Sequence, residues 1–227
     1  MLFEKAPLKT PKSNAENCRF REKMLVFAKE SWYTAYTKIR EVTMKTLIVN
    51  GSPRQNGDTK TLVNLLQKRL DGEVIILNVY RCSISPCLDC RFCWRNDSCA
   101  IEDEMQNVYQ YLISCDNVVI ASPIYFSELT GQLLAVMSRL QLFFAAKHFR
   151  KQALISAPKK GAVILVGGGD GNMEKPYETA CTLLHHVCCD QIHPAVFSHQ
   201  TNVRPATEDE NVLRGIESIV SFFCSTK

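Results

Sequence analysis

The chain has 227 residues, of which 46% are apolar and 22% charged, and its formal charge is +4. That size and balance suit one α/β domain with an extension, are short for two domains, and exclude wholesale disorder. The small, dispersed positive excess points to neither nucleic acid nor a membrane surface, and no run of about 18 uncharged apolar residues offers a membrane span. The apolar run Met24–Ala28 is too short and too closely flanked by charge for a secretory signal. Eleven cysteines, an odd count, argue against a secreted disulfide framework and for the reducing cytoplasm. Five of them fall between Cys82 and Cys99.

Residues 1–43 form a leader distinct from the domain expected over 44–227. A polar, Pro-containing stretch, Ala6–Asn17, is expected to be loose. Leu25, Ala28, Trp32, Ala35 and Ile39 then recur at three- and four-residue steps and predict one amphipathic helix that needs a partner surface. From Met44 the pattern alternates. Strands are expected at 45–50, 73–80, 117–122, 161–166 and 192–198, from short apolar runs rich in β-branched residues. Helices are expected at 59–70, 102–115, 131–146, 175–189 and 208–224. Thr59 stands at the cap or first turn of the first of these, and Asp103 and Glu104 are read as helix-start acids. Alternation of this kind implies a five-stranded parallel sheet of order 2-1-3-4-5 with helices on both faces.

In such a sheet, ligands bind outside the C-terminal ends of the strands. Three unusual loops should meet there. Gly51-Ser-Pro-Arg-Gln-Asn-Gly-Asp-Thr59 precedes a helix and offers Ser52, Arg54, Asn56 and Thr59 as donors, with Gly51 and Gly57 for tight turns. Free amides at the helix start favour an anion, and without a P-loop lysine the loop suits a terminal monophosphate. Pro123, Ile124, Tyr125 and Phe126 can wall a planar ring system. Gly167-Gly-Gly-Asp-Gly171 permits close backbone approach, with Asp170 beside a polar ligand edge. Singly, each loop is also consistent with a plain turn or with core packing; their coincidence at one edge carries the reading.

The run Gly51-Ser-Pro-Arg-x-x-Gly-x-Thr59, then Ser122-Pro-Ile-Tyr125, then the glycine loop, resembles the NAD(P)H-dependent FMN reductase group of the flavodoxin-like superfamily. The likeness covers about residues 45–224. It implies a flavodoxin-like three-layer sandwich in which Ser52, Arg54, Asn56, Gly57 and Thr59 hold the FMN phosphate. By the same likeness Pro123, Ile124, Tyr125 and Phe126 flank the isoalloxazine, and Gly168, Gly169 and Asp170 close over it. A homodimer is implied as well. Where many relatives carry a Lys and an Asp-Arg pair, the helix here reads Leu133-Leu-Ala-Val-Met-Ser138-Arg139, keeping the Arg.

Cys87-x2-Cys90-x2-Cys93-x5-Cys99 places four thiols in one loop. Four thiolates suit an iron–sulfur cluster or a tetrahedral zinc. The spacing resembles that of the iron–sulfur flavoproteins, which share this fold and hold a four-iron cluster beside FMN. A lid or dimer contact built with Arg91, Phe92 and Trp94, a redox disulfide, and ligation by Cys82 in place of one of the four stay open. The reading reached is an oxidoreductase taking hydride from NAD(P)H onto FMN and passing electrons to a quinone, a free flavin, a nitro-compound or a cluster. A non-enzymatic electron carrier serving protein partners is the alternative, and a colourless protein with structural zinc is a third. No acid–base residue is assigned. His185 and His186, adjacent on a helix, make a poor metal cage.

Overall fold

The computed structural model describes residues 3–5 and 43–225. The leader's loose stretch and amphipathic helix lie outside these. Among the described residues the strands are β1 (Phe3–Lys5), β2 (Lys45–Asn50), β3 (Glu73–Asn78), β4 (Asn117–Pro123), β5 (Lys159–Val166), β6 (Cys189–Ile192) and β7 (Val196–Ser198). The helices are α1 (Asp58–Arg69), α2 (Met105–Ser114), α3 (Gly131–Met137), α4 (Gln141–Ala145), α5 (Glu174–His186) and α6 (Glu210–Cys224).

The sheet order is β1-β3-β2-β4-β5-β6, with β7 also paired to β5. From β3 to β7 every pairing is parallel, so the expected order 2-1-3-4-5 is present. Two features differ from the expectation. The fifth strand is two strands, β6 and β7, interrupted at His193–Ala195, where Pro194 has no N–H to give a ladder. In addition β1 pairs antiparallel with β3, Phe3 opposite Leu77, so three leader residues belong to the sheet.

β2, β4 and β5 are buried on both faces, as parallel strands under helices must be. One face packs Leu47, Val49, Val118, Ile120, Val163 and Leu165 against α2 to α5. The other packs Ile48, Ile76, Val119 and Ile164 against α1 and α6. At the α1–β3 link Gly72 adopts φ +88°, and a Cβ there would lie 2.1 Å from the Met44 carbonyl oxygen. Only glycine fits that turn.

The single helix expected over 131–146 is divided. Between α3 and α4 lies a 3-10 turn, Ser138–Leu140, and after α4 a π-helical turn, Ala146–Arg150. The Ser138 hydroxyl donates back to the Ala135 carbonyl at 2.6 Å, and Arg139 is drawn inward, so the regular ladder is broken there. The last turn expected for α5 is likewise absent, because Cys188 turns left-handed at φ 63° and Cys189 enters β6.

Two lysines open β5. Side chains alternate across a strand, so Lys159 and Lys160 face opposite layers. The Lys159 ammonium donates to the Ile113 carbonyl at 3.3 Å and to that of Cys115, at the C-terminal end of α2. Lys160 donates to the Phe222 carbonyl at 2.7 Å and to the Ser225 carbonyl and hydroxyl, at the end of α6. Each cation meets the negative end of a helix. Lys159→Met or Lys160→Met should therefore each lower stability by about 2 kcal/mol in urea unfolding, the range for hydrogen bonds to charged groups. A Lys→Arg control at these buried sites should cost at least as much through overpacking.

Candidate functional site

The C-terminal ends of β2, β4 and β5 bring the three expected loops together, and the residues after β7 join them. Ser52, Arg54, Gly57, Asp58, Thr59, Pro123, Ile124, Tyr125, Gly168, Thr201 and Asn202 line one cavity of about 230 Å³. Of the sequence-predicted residues, Asn56 lines instead an adjoining polar cavity of about 340 Å³ that shares Ser52 and Arg54. Phe126, Gly169 and Asp170 line neither. Asp170 accepts a hydrogen bond from the Gln200 side chain.

The stretch 199–204 carried no motif and was missed by sequence reasoning. It is laced to the glycine loop: the Thr201 amide donates to Gly167 O at 3.1 Å and the Gln200 amide to Gly169 O at 3.1 Å. A Cβ on Gly168 would meet the Asn202 side chain at 2.8 Å, so a larger residue there would push Asn202 aside. Thr130, also unpredicted, joins the other two loops. Its hydroxyl donates to Gly51 O at 2.9 Å, and its amide donates to the Ser122 hydroxyl at 3.3 Å.

At one end of the cavity α1 begins at Gly57 without a side-chain cap. The first helical amides have no intrahelical partner and the helix dipole is positive there, so this end attracts an anion. The Asp58 carboxylate, which would repel one, accepts the Ala206 amide at 2.8 Å. At the other end Pro123, Ile124 and Tyr125 supply an apolar wall. Phe126 and Ser127 beyond it have φ 51° and 58°, between paired hydrogen bonds from Tyr125 to Glu128 and back. This is a two-residue hairpin turn of the primed type, which favours Asn-Gly. It holds the Phe126 ring wholly in solvent. A cavity smaller than the ~300–1,000 Å³ of typical ligand sites encloses one part of a ligand and leaves the rest outside. The arrangement fits a planar molecule with an anionic tail.

The cysteine loop follows β3. Cys87, Cys90, Cys93 and Cys99 line one recess of about 20 Å³, with Arg139, Tyr109 and Trp94. The Cys93 thiol is pushed up by burial, and further by the nearness of Cys99, Cys87 and Cys90. Cys82 stands outside the recess, its thiol 3.3 Å from the Val79 carbonyl. Among the described residues no three His, Cys, Asp or Glu side chains are grouped tightly enough to hold a single metal ion. Zinc would draw four sulfurs to about 2.3 Å from one centre. A cluster keeps its thiolates at the corners of a larger body, and the recess between these four thiols, with room for about one water, would have to widen to take one.

The loop is held from below. Arg139 is 1% exposed. Its guanidinium donates to Asp103 Oδ2 at 2.8 Å, Ser85 O at 3.0 Å and Ile101 O at 3.2 Å. The Cys87 amide donates to the Ser138 hydroxyl at 2.9 Å, and Arg150 donates to the Cys93 carbonyl. Asp103 also accepts the Met105 amide at 3.0 Å, so it caps α2 as expected of a helix-start acid. Burial works against its charge, but Arg139 and the Ser85 and Met105 amides outweigh this and hold the carboxyl below its ordinary range. A carboxyl with a lowered folded-state pKa stabilises the fold above the unfolded value, about 4, and that contribution is lost as pH falls through the folded value. The stability advantage of the wild type over Asp103→Asn should thus be full near pH ~6 and shrink below pH ~4, as read by urea unfolding across that range.

Comparison with known proteins agrees with this geometry. The family model described as NADPH-dependent FMN reductase matches residues 44–198. An iron–sulfur flavoprotein of Methanocaldococcus jannaschii is 33% identical over 129 residues, 55% of this chain and 62% of its own length. One from Methanosarcina thermophila is 26% identical over 146 residues, 63% of this chain and 73% of its own. The chain thus spans between about three fifths and three quarters of these two relatives. Among solved structures, an NAD(P)H:quinone oxidoreductase from Methanothermobacter marburgensis superposes with TM-score 0.61 at 12% identity, covering 82% of this chain and all of its own, which shows a shared fold. By the match over most of its described length, the chain belongs to the NADPH-dependent FMN reductase family.

Proposed function

We propose that this protein is an FMN-dependent NAD(P)H oxidoreductase whose cysteine loop carries a four-iron cluster. The single observation that carries the flavin reading is the cavity in which an uncapped helix start and Arg54 face an apolar wall of Pro123, Ile124 and Tyr125. FMN has the matching halves, a phosphate and a flat ring. Bound there, it would supply hydride acceptance from the reduced nicotinamide and onward electron transfer to a quinone, free flavin or nitro-compound.

The residues do the rest. Ser52, Arg54, Gly57 and Thr59, with the first amides of α1, hold the phosphate. Pro123, Ile124 and Tyr125 seat the ring on one side, and Gly168 brings backbone close on the other. Thr130 keeps the first two loops at fixed separation. Asn56 and the Gly169–Asp170 pair serve the loops' shape rather than contact with the ring. Cys87, Cys90, Cys93 and Cys99 are the proposed cluster ligands, supported by their common recess and by the iron–sulfur flavoproteins among the relatives. A cluster held there would pass electrons singly.

Exposed Leu88, Tyr125, Phe126 and Val203, all on loops beyond the strands' C-terminal ends, supply the apolar surface a homodimer would cover. The described cysteines are all free thiols, which supports a cytoplasmic setting, and no described helix is long and apolar enough to cross a membrane.

The experiment is a titration of flavin-free protein with FMN and with riboflavin, which lacks the phosphate. FMN should bind at least ~10-fold tighter, and Arg54→Ala should weaken FMN alone by ~10-fold or more, as loss of a charge-assisted hydrogen bond requires. Equal affinities would end the phosphate assignment. Protein purified without oxygen should carry about four irons per chain and oxidise NAD(P)H; flavin without iron would leave the reductase and remove the cluster.

A further inference from the structure

A cavity of about 590 Å³, larger than those described above, lies where the helical run after α3 turns toward β5. The π-helical turn Ala146–Arg150, the segment 151–155 and the end of α5 enclose it. None of its lining residues lines the flavin-loop cavity or the cysteine recess. Its size falls within the ~300–1,000 Å³ of small-molecule sites.

Its chemistry is of two kinds. Phe143, Phe144, Leu154 and Ile155 give an apolar floor. Lys147, His148, Lys151, His185 and His186 stand around it, and no Asp or Glu is among the lining residues. The backbone fixes where these basic side chains stand. A π-turn is wider than an α-turn and occurs often at functional sites. It ends at Lys151, which adopts φ 57° and donates its amide to the Ala146 carbonyl, so Lys147, His148 and Lys151 are fixed about one mouth. Phe144 meets the His186 ring edge-on at 5.9 Å and lies 4.3 Å from that of His148.

Lys147 and Lys151 bring positive charge to the mouth, and no acidic side chain among the lining residues answers it. Burial first, and then its basic neighbours, hold His186 below its ordinary pKa, so its neutral ring offers an N–H to a ligand rather than a charge. An anion in the mouth meets the two ammonium groups, and a flat ring beneath it covers the aromatic floor.

We propose that this cavity binds a planar aromatic molecule carrying a single acidic group, a sulfonate or a carboxylate, with the ring on Phe143, Phe144 and Leu154 and the acid between Lys147, Lys151 and the histidines. The wall is continuous with the cysteine loop. Phe144 packs edge-on against Phe149 at 6.1 Å, and Phe149 stacks on Trp94 at 4.0 Å, next to Cys93. A ligand seated there therefore touches an aromatic row that reaches the thiol recess, which makes electron-accepting aromatics such as sulfonated quinones natural members of the class.

The test uses the full chain saturated with FMN, so that the flavin-loop cavity does not compete, and the probes 2-naphthalenesulfonate and neutral 2-naphthol in calorimetry. The sulfonate should bind once per chain and at least ~10-fold tighter than the naphthol, the margin a charge-assisted contact supplies. Lys147→Glu with Lys151→Glu should weaken the sulfonate at least ~10-fold and leave FMN binding unchanged, while Leu154→Trp should fill the floor and abolish binding of both probes. Should Leu154→Trp fail to fold, the surface lysine pair decides alone. Equal affinity for the two probes, unchanged binding in the lysine variant, or absence of binding in a wild-type dimer that Leu154→Trp splits into monomers would each overturn the proposal. The last would make this face a contact between copies.

Discussion

The structure around the cysteine loop depends on one buried charge. Moving a guanidinium out of water is costly unless its donors are matched. Arg139 meets most of that demand by drawing three stretches of chain to itself: its terminal nitrogens donate to the carbonyls of Ser85 and Ile101 and the carboxylate of Asp103, its own carbonyl accepts the Tyr109 hydroxyl at 3.0 Å, and its Nε alone is left without a partner. The first two of these bracket the thiols. A loop of irregular backbone is thereby closed at both ends against the core, and the thiols between them share one recess although they belong to no helix or strand of length.

The same interaction explains why part of the fold was legible in the sequence and part was not. Hydrophobic runs and their spacing carry strand order and helix sequence well, because burial on both faces of β2, β4 and β5 leaves an unmistakable apolar signature. The division of the helix after Gly131 is invisible to periodicity. Leu133, Val136, Met137 and Leu140 keep helical spacing throughout, and the break comes from where Ser138 and Arg139 find polar partners. The partners of Arg139 lie more than thirty positions away in sequence. The interrupted fifth strand had a local signal in Pro194, and β1 had none, being three residues long.

At the candidate site, motif-bearing loops were legible and their fine sorting was not. Gly57, Thr59 and Gly168 fall in the cavity because the strand ends deliver them there. Asn56 and Asp170, chosen for donor or acceptor chemistry, are turned to other company by local backbone geometry. Thr201 and Asn202 escaped notice because the stretch after β7 carries no glycine cluster or charge pattern. Its relevance arises only from its hydrogen bonds to the glycine loop. The same holds for the cations about the π-turn, which are unremarkable in sequence and become a group only when that turn widens.

The paired lysines at the start of β5 have a consequence for the uniqueness of the fold. A strand with one wet face is fixed in register by its alternation, since a shift of one position would expose its oily side. β5 is buried along its whole length and offers apolar side chains to both layers, so sliding it by one residue would trade one set of branched side chains for another at little loss. What such a slip could not preserve is the match of two ammonium groups to two helix ends. Each would stand about 3.3 Å, one strand step, from the carbonyls it now meets, on the wrong side of the sheet. The lysines thus act as a key that admits a single alignment of β5 against its neighbours, and through it the height at which the glycine loop emerges.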